Sequence, residues 1–328
     1  MSFIATLIAL LLEQARPLAY GNPVHVGVRA WASYCAHALD AGQPRHGWLV
    51  FVCVAVMPAA VTLLIHWWVV SYVGVVGAVV WSVVVLYLTL GFRQFSHHFT
   101  SIRDALDAAD EGAARKLLAQ WRHVNADQLP RREIIRHVIE YSIISAHRHV
   151  FGVLVWFSLL AALGLGPAGA VFYRLVEFVS GYWKRADLAN EERGSAALNH
   201  VASQAWFVVD WIPARMTALC FAVVGSFEEA IDEWRQYASY RPDDNDGLMI
   251  AATAGAVNIR LHANAEAGMR AEASRVNDKD LISNGDAFFS DRQEPEFAHL
   301  NIIVGLIWRS VVLWMLLLAL LTLARLLG

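Results

Sequence analysis

The most unusual chemistry in the sequence lies in one short stretch, Val209-Asp210-Trp211-Ile212-Pro213-Ala214-Arg215. An acid, a proline and an arginine stand there inside an otherwise apolar run from Ala205 to Gly225. Charge in such surroundings costs at least about 2.5 kcal/mol per residue on membrane-insertion scales, which favours a purpose over chance. The two charges are five residues apart, slightly too far for the best pairing along one helix. Each is expected to pair with another helix or to face a polar cavity. A structural polar pair and a functional site fit the pattern equally.

Histidines form the second group. His97 and His98 follow the first apolar hairpin, and His137, His147 and His149 lie ahead of the next apolar run. On a helix His137, Glu140, Ile144 and His147 share a rough stripe, a spacing that a metal or haem site at a membrane interface could use. His147 and His149 are two apart and do not face each other, so polar interface histidines are the better reading and no metal is expected. The chain has no GxxxxGKS loop, HExxH, GxSxG or dinucleotide fingerprint, and no resident cofactor is expected.

These groups are positioned by hydrophobic elements. Apolar residues make up 57% of the 328 and charged residues 17%, with mean hydropathy +0.42. Both fractions are shifted toward lipid relative to soluble domains, and the net charge of −3 gives no hint of nucleic-acid binding. Between Arg45 and Arg93 there is no charged residue. That length suits two crossings of a bilayer, with a tight turn in Trp67–Gly74. The next uncharged run, between Arg148 and Arg174, contains Gly164-Leu165-Gly166-Pro167-Ala168-Gly169 and is expected to bend or re-enter near Gly166. Further apolar stretches are Ala205–Gly225 and Phe297–Leu327, the latter with Arg309. Cys35, Cys53 and Cys220 form no CxxC and read as buried small hydrophobes. The apolar start, Met1 to Leu12, has no basic region or cleavage site of a removed signal peptide.

Two polar regions lie between the spans. Residues 93–148 carry nine basic and seven acidic side chains. They read as a helix with Ile102, Leu106 and Ala109 on one stripe, a break at Gly112, a helix with Leu117, Leu118 and Trp121, and a third helix after Pro130. Residues 226–296 carry fifteen acids against seven bases and open with a capping box, Ser226 to Glu229. Asn264 to Asp291 reads as loop or short helix. Strand alternation and fixed repeats are absent from the sequence. The expected fold is therefore all-α, a polytopic membrane protein with about four to five membrane-embedded segments, one kinked or re-entrant, plus amphipathic cytoplasmic helices. Residues 1–328 are read as a single domain with spans near 47–70, 71–92, 150–173, 204–225 and 300–327. The arginine-rich segment and the N-terminus are placed in the cytoplasm.

Several short elements, in order along most of the chain, resemble the membrane superfamily that holds the cobalamin-pathway CobD/CbiB proteins and the β-lactamase-regulation AmpE proteins. They are Asn22-Pro23-Val24, the Ala146–Gly152 segment, Gly166-Pro167-Ala168-Gly169-Ala170-Val171-Phe172-Tyr173-Arg174, Gly181-Tyr182, Pro213-Ala214-Arg215 and Ala254–Leu261. The resemblance implies a bacterial inner-membrane, multi-pass protein. Its synthase branch is expected to join an aminopropanol unit to a corrinoid carboxylate at the cost of ATP, with carboxylates holding magnesium.

This sequence departs from the synthase pattern where those acids belong. The Glu-Asn-x-x-Asp-Gly positions read His147, Arg148, His149, Val150, Phe151 and Gly152; an Asp-Asp pair reads Trp206 and Phe207. A Ser-Pro-Asn element reads Asp243, Asp244 and Asn245, with Ile250 for its later Glu. Asp210, Trp211, Pro213 and Arg215, and then Gly225, Glu228 and Ala230, resemble the AmpE-like pattern. Three readings follow: an AmpE-like modulatory or ligand-sensing protein; a divergent adenosylcobinamide-phosphate synthase, needing Mg and ATP, with relocated acids Asp210, Asp243 and Asp244; or a binding module for a lipid-linked or amphipathic ligand. Candidate cavity residues are Asp210, Trp211, Arg215, Asn245, Asp243, Asp244, His147, Arg148, His149 and Arg174. The expected partners are the bilayer and an amphipathic, corrinoid or cell-wall-related small molecule, and a homo-oligomer is compatible with the pattern.

Overall fold

The computed structural model describes residues 2–16, 23–122, 126–188, 195–261 and 292–327. Among them the chain is helical, with one isolated bridge between Ile259 and Gln293. The helices are α1 (Ser2–Ala15), α2 (Pro23–Leu39), α3 (Pro44–Phe51), α4 (Met57–Thr89), α5 (Phe92–Asp107), α6 (Glu111–Arg122), α7 (Arg131–Ala146), α8 (Gly152–Ala162), α9 (Ala168–Leu188), α10 (Ala196–Val224), α11 (Phe227–Tyr240), α12 (Asn245–Val257) and α13 (Phe297–Leu327). Wide π-turns at Val52–Val56 and His147–Phe151 join α3 to α4 and α7 to α8. Four helical stretches among the described residues are long and apolar enough to cross a membrane: Pro44–Thr89, Arg131–Ala162, Ala196–Val224 and Phe297–Ala324. The protein is an all-α polytopic membrane protein.

Two compact units divide the chain: Met1–Gln94 with Ala146–Pro213 and Trp314–Gly328, and Phe95–Ser145 with Ala214–Leu313. In the first, the uncharged stretch after Arg45 folds back on itself. Gly74 adopts φ 80° and ψ −162° inside α4, a conformation open to glycine because it has no Cβ. Pro58, Thr62, Trp81, Val85 and Leu88 consequently line one cavity, although an unbroken helix would hold Pro58 and Leu88 about 45 Å apart. The turn lies at the end of the Trp67–Gly74 stretch. Its outer surface keeps Val73, Val76 and Trp68 exposed, the pattern of a lipid-facing wall.

A second hairpin follows. Leu163 to Pro167 break the helix, with Gly164 at φ 77° and Gly166 at φ 60°. The expected disruption near Gly166 is thus a turn between α8 and α9. A Cβ on Gly169 would overlap the Trp156 carbonyl oxygen, and one on Gly152 would overlap the Tyr173 ring. These two pairs, Gly169 with Trp156 and Gly152 with Tyr173, run in opposite directions along the chain, so α8 and α9 pack antiparallel at backbone distance. The remaining core of this unit joins Cys35, Val50, Val54, Val176, Trp183, Leu198 and Val201. Asp40 accepts from Ser195 N–H (2.8 Å) and Ser195 Oγ (3.0 Å), which ties the end of α2 to the start of α10.

In the second unit the three expected amphipathic helices form. Ile134, Ile135, Val138, Ile139 and Ile143 of α7 are buried, as are Ile102, Leu106, Leu118 and Trp121. The break falls at Ala109 (φ 58°), not at Gly112, which lies inside α6. Asp110 explains the shift: its Oδ1 accepts from Ala113 N–H at 2.9 Å, so it caps α6 and the helix starts earlier. The capping box at Ser226 is likewise corrected. Residue α11 does begin at Phe227, but Ser226 makes no side-chain cap and its N–H instead donates to Ala256 O at 2.9 Å. Gly225 lies against Ala256 and Gly255 against the Glu229 carbonyl, so α11 and α12 also pack at backbone distance. The Asn264–Asp291 stretch lies outside the described residues.

The close packing has a direct test. Gly169→Ala is expected to lower thermal stability in detergent by about 1–3 kcal/mol through overpacking. Gly305→Ala, where nothing stands within 4 Å of a new Cβ, is expected to leave stability unchanged or raise it by up to about 1 kcal/mol. Thermal unfolding of the two variants side by side measures the difference.

Candidate functional site

Asp210 is fully buried on α10, and its partners come from elements far away in sequence. Its Oδ1 lies 2.8 Å from His147 Nε2 and accepts from the Tyr173 hydroxyl at 2.9 Å. Tyr173 OH is also 3.4 Å from His147 Nε2. A π-turn, α9 and α10 therefore meet at one oxygen. Three local features make this meeting feasible. The extra residue of the π-turn re-aims His147. Gly152 leaves room for the Tyr173 ring. Trp156 Nε1 donates to Val209 O at 3.0 Å, fixing α10 beside α8 one residue before Asp210. A buried carboxylate is tolerable only when hydrogen-bonded in this way.

Around this knot lies a cationic patch. Arg148 sits over the Trp206 ring with its guanidinium carbon 5.3 Å from the centroid. Arg174 donates to Glu177 Oε2 at 2.9 Å and lies 3.0 Å from His149 Nδ1. His147 and His149 thus point to different partners, Asp210 and Arg174, as their spacing of two predicts. His137, for its part, lies 2.7 Å from Arg122 Nη1, and no cluster of metal-ligating side chains is found among the described residues.

The later candidates belong to the second unit. Arg215 Nη1 donates to Asn245 Oδ1 at 3.0 Å, so each charge of the Asp210–Arg215 stretch takes a partner from another helix. Asp244 caps α12: Oδ1 accepts from Gly247 N–H (2.9 Å) and Oδ2 from the Tyr237 hydroxyl (2.6 Å). Burial, together with that bond to Asp244, pushes the Tyr237 hydroxyl well above the ordinary phenol range, so it stays a donor. Asp243 and Trp211 are exposed. A buried ion pair of Glu233 and Arg292 (2.8 Å) also belongs to this unit. Sequence reasoning missed Tyr173, Glu177 and Tyr237 as polar partners. Glu177 stands three residues after Arg174, a helical pairing distance that could have flagged it. Nothing local marks Tyr173 as the partner of a residue 37 positions away.

Removing one donor exposes the strength of the knot. Tyr173→Phe, which keeps the ring and deletes the hydroxyl, is expected to cost about 1–3 kcal/mol of stability by leaving Asp210 under-served. Gly152→Ala, which displaces the ring itself, is expected to cost at least as much. Thermal melts in detergent read both, and a Tyr173→Phe variant as stable as the parent contradicts the arrangement.

Comparison with known proteins adds the wider context. The family described as CobD/Cbib protein matches residues 3–286. The chain is 27% identical over 281 residues to the cobalamin biosynthesis protein CobD of Stutzerimonas stutzeri, covering 86% of this chain and 84% of that one. It is 30% identical over 179 residues to the CobD of Chromobacterium violaceum, covering 55% and 54% of the two chains. A CobD of Leptospira interrogans matches at 26% over 187 residues, 55% of this chain and 56% of that one. No solved structure matches. The inclination toward the AmpE-like branch finds no support among these relatives, all of which carry cobalamin names. This chain belongs to the CobD/CbiB family.

Proposed function

We propose that this protein works in cobalamin biosynthesis as a multi-pass inner-membrane protein that handles a corrinoid. The observation that carries this reading is the similarity to a cobalamin biosynthesis protein over 86% of the chain, which spans both units and the polar knot. The reaction implied by the resemblance is amide ligation of an aminopropanol unit to a corrinoid.

A magnesium–nucleotide site of the synthase design does not fit the residues at the expected positions. His147, Arg148 and His149 offer nitrogen and positive charge there, whereas Mg²⁺ takes oxygen ligands. Among the relocated acids, Asp210 is sealed from solvent and both Asp244 oxygens are engaged by protein donors. Asp243 alone is exposed. No catalytic step is therefore routed through that site. The same observation favours a second reading, a non-catalytic modulator of the AmpE-like kind, whose mark is altered β-lactam susceptibility on deletion of the gene.

Corrinoid handling is tested with the purified full chain and cobinamide. The expected result is co-elution of corrinoid absorbance with the protein on size exclusion, at about one equivalent, with the Stutzerimonas relative run alongside for comparison. No retention beside a positive relative overturns the reading. Expression in a bacterium lacking its cobinamide-phosphate synthase then separates roles: cobalamin-dependent growth assigns ligation, and retention without growth assigns corrinoid handling without ligation.

A further inference from the structure

The first unit contains a cavity of about 440 Å³ between α2, the two limbs of α4 and α9. Its size falls in the range of ligand pockets. Most of its wall is apolar, including Val28, Val54, Val85, Leu88 and Phe178, while Arg174 and His25 line it as well. Its polar and apolar ends are separated along the α4 hairpin. The deep end, at Thr62 and Trp81, lies toward the Gly74 turn and within the uncharged hairpin. The shallow end is fixed by Gly91, whose N–H donates to His149 O at 3.3 Å. That bond sets the close of the second α4 limb, Leu88 and Thr89, beside the His149–Arg174 pair.

Cationic side chains gather at this shallow end. Arg174 lines the cavity and is held by Glu177 at 2.9 Å, and Arg148 and Arg185 act on that same carboxylate from outside the cavity. Burial, with the fields of Arg174 and Arg29 and against that of Glu177, holds His25 below its usual range, so it adds a hydrogen-bonding ring to the patch. An apolar slot with an arginine and an imidazole in its wall matches the chemistry of an amphiphile with an acidic head.

We propose that this cavity is a binding site for an anionic phospholipid, with the phosphate head at Arg174 and His25 and an acyl chain running between the α4 limbs toward Thr62 and Trp81. The site adjoins the Asp210 knot through the Arg174 patch and does not depend on the corrinoid reading. Its occupant is defined by both halves: the chain supplies burial of apolar surface, and the head supplies the charge preference.

The test is native mass spectrometry of the full protein released from detergent after incubation with equal amounts of phosphatidylglycerol and phosphatidylcholine. The expected result is one tightly retained phosphatidylglycerol with roughly three- to tenfold preference, the scale of a partly exposed charge interaction. Leu88→Trp, which narrows the slot at a position already 36% exposed, is expected to abolish retention of either lipid while the thermal transition stays cooperative. Arg29→Gln and Arg174→Gln are expected to reduce the preference and leave chain binding in place. Equal retention of both lipids, or undiminished retention in a folded Leu88→Trp variant, overturns the proposal. So does inorganic phosphate that raises the melting temperature as much as the lipid does, because the slot then plays no part.

Discussion

A carboxylate buried in an apolar bundle is the constraint that organises the first unit. Asp210 has no access to water, so its solvation must come from protein donors. His147 and Tyr173 supply it on one oxygen. Each donor arrives on a different element, and each arrival demands a local departure from regular helix or a missing side chain. The π-turn sets the histidine, and Gly152 admits the tyrosine. Breaking such a knot costs more than forming it contributes, because the carboxylate stays behind. The knot therefore acts mainly as a specifier: it fixes the rotation of α10 against α8 and α9, which an all-apolar contact would leave nearly degenerate.

The glycines enforce that geometry from the other side. Gly169 against the Trp156 carbonyl brings α8 and α9 to backbone distance, a mode of packing suited to lipid, where apolar side chains gain little from leaving the solvent. Close packing there aligns α9 so that Arg174 and Glu177 stand beside His149. Gly74 plays a different part. Its left-handed φ reverses the first apolar stretch, and the two limbs then bound a slot that opens on the cationic patch. Fold, charge distribution and cavity thus descend from a few small residues and one acid.

Much of this was legible in the sequence because lipid leaves few alternatives. The gap between Arg45 and Arg93 permits little except a hairpin, and glycine was the natural place to turn it. The Ile134–Ile143 stripe of α7 follows directly from helical period. Local capping was harder to read. Asp110 competes with Gly112 for the break before α6, and its side-chain bond wins; the Ser226 N–H, which a capping box would give to the Glu229 side chain, goes instead to Ala256 O, a tertiary partner that no window of sequence contains. The identity of the Asp210 partners was illegible for the same reason, since His147 is 63 residues away. The resemblance's synthase pattern, as read on this sequence, pointed to the AmpE-like branch, but the similarity over most of the chain lies with cobalamin proteins.

Asp210 and His147 act as one buried unit, and a double-mutant cycle on the full protein measures their coupling. Asp210→Asn, His147→Gln and the double variant are compared by equilibrium unfolding in one detergent. A coupling energy of at least about 1 kcal/mol is expected, with the double variant less damaged than the sum of the singles, as for contacting residues. Additivity within about 0.5 kcal/mol, the behaviour of distant independent sites, would contradict it.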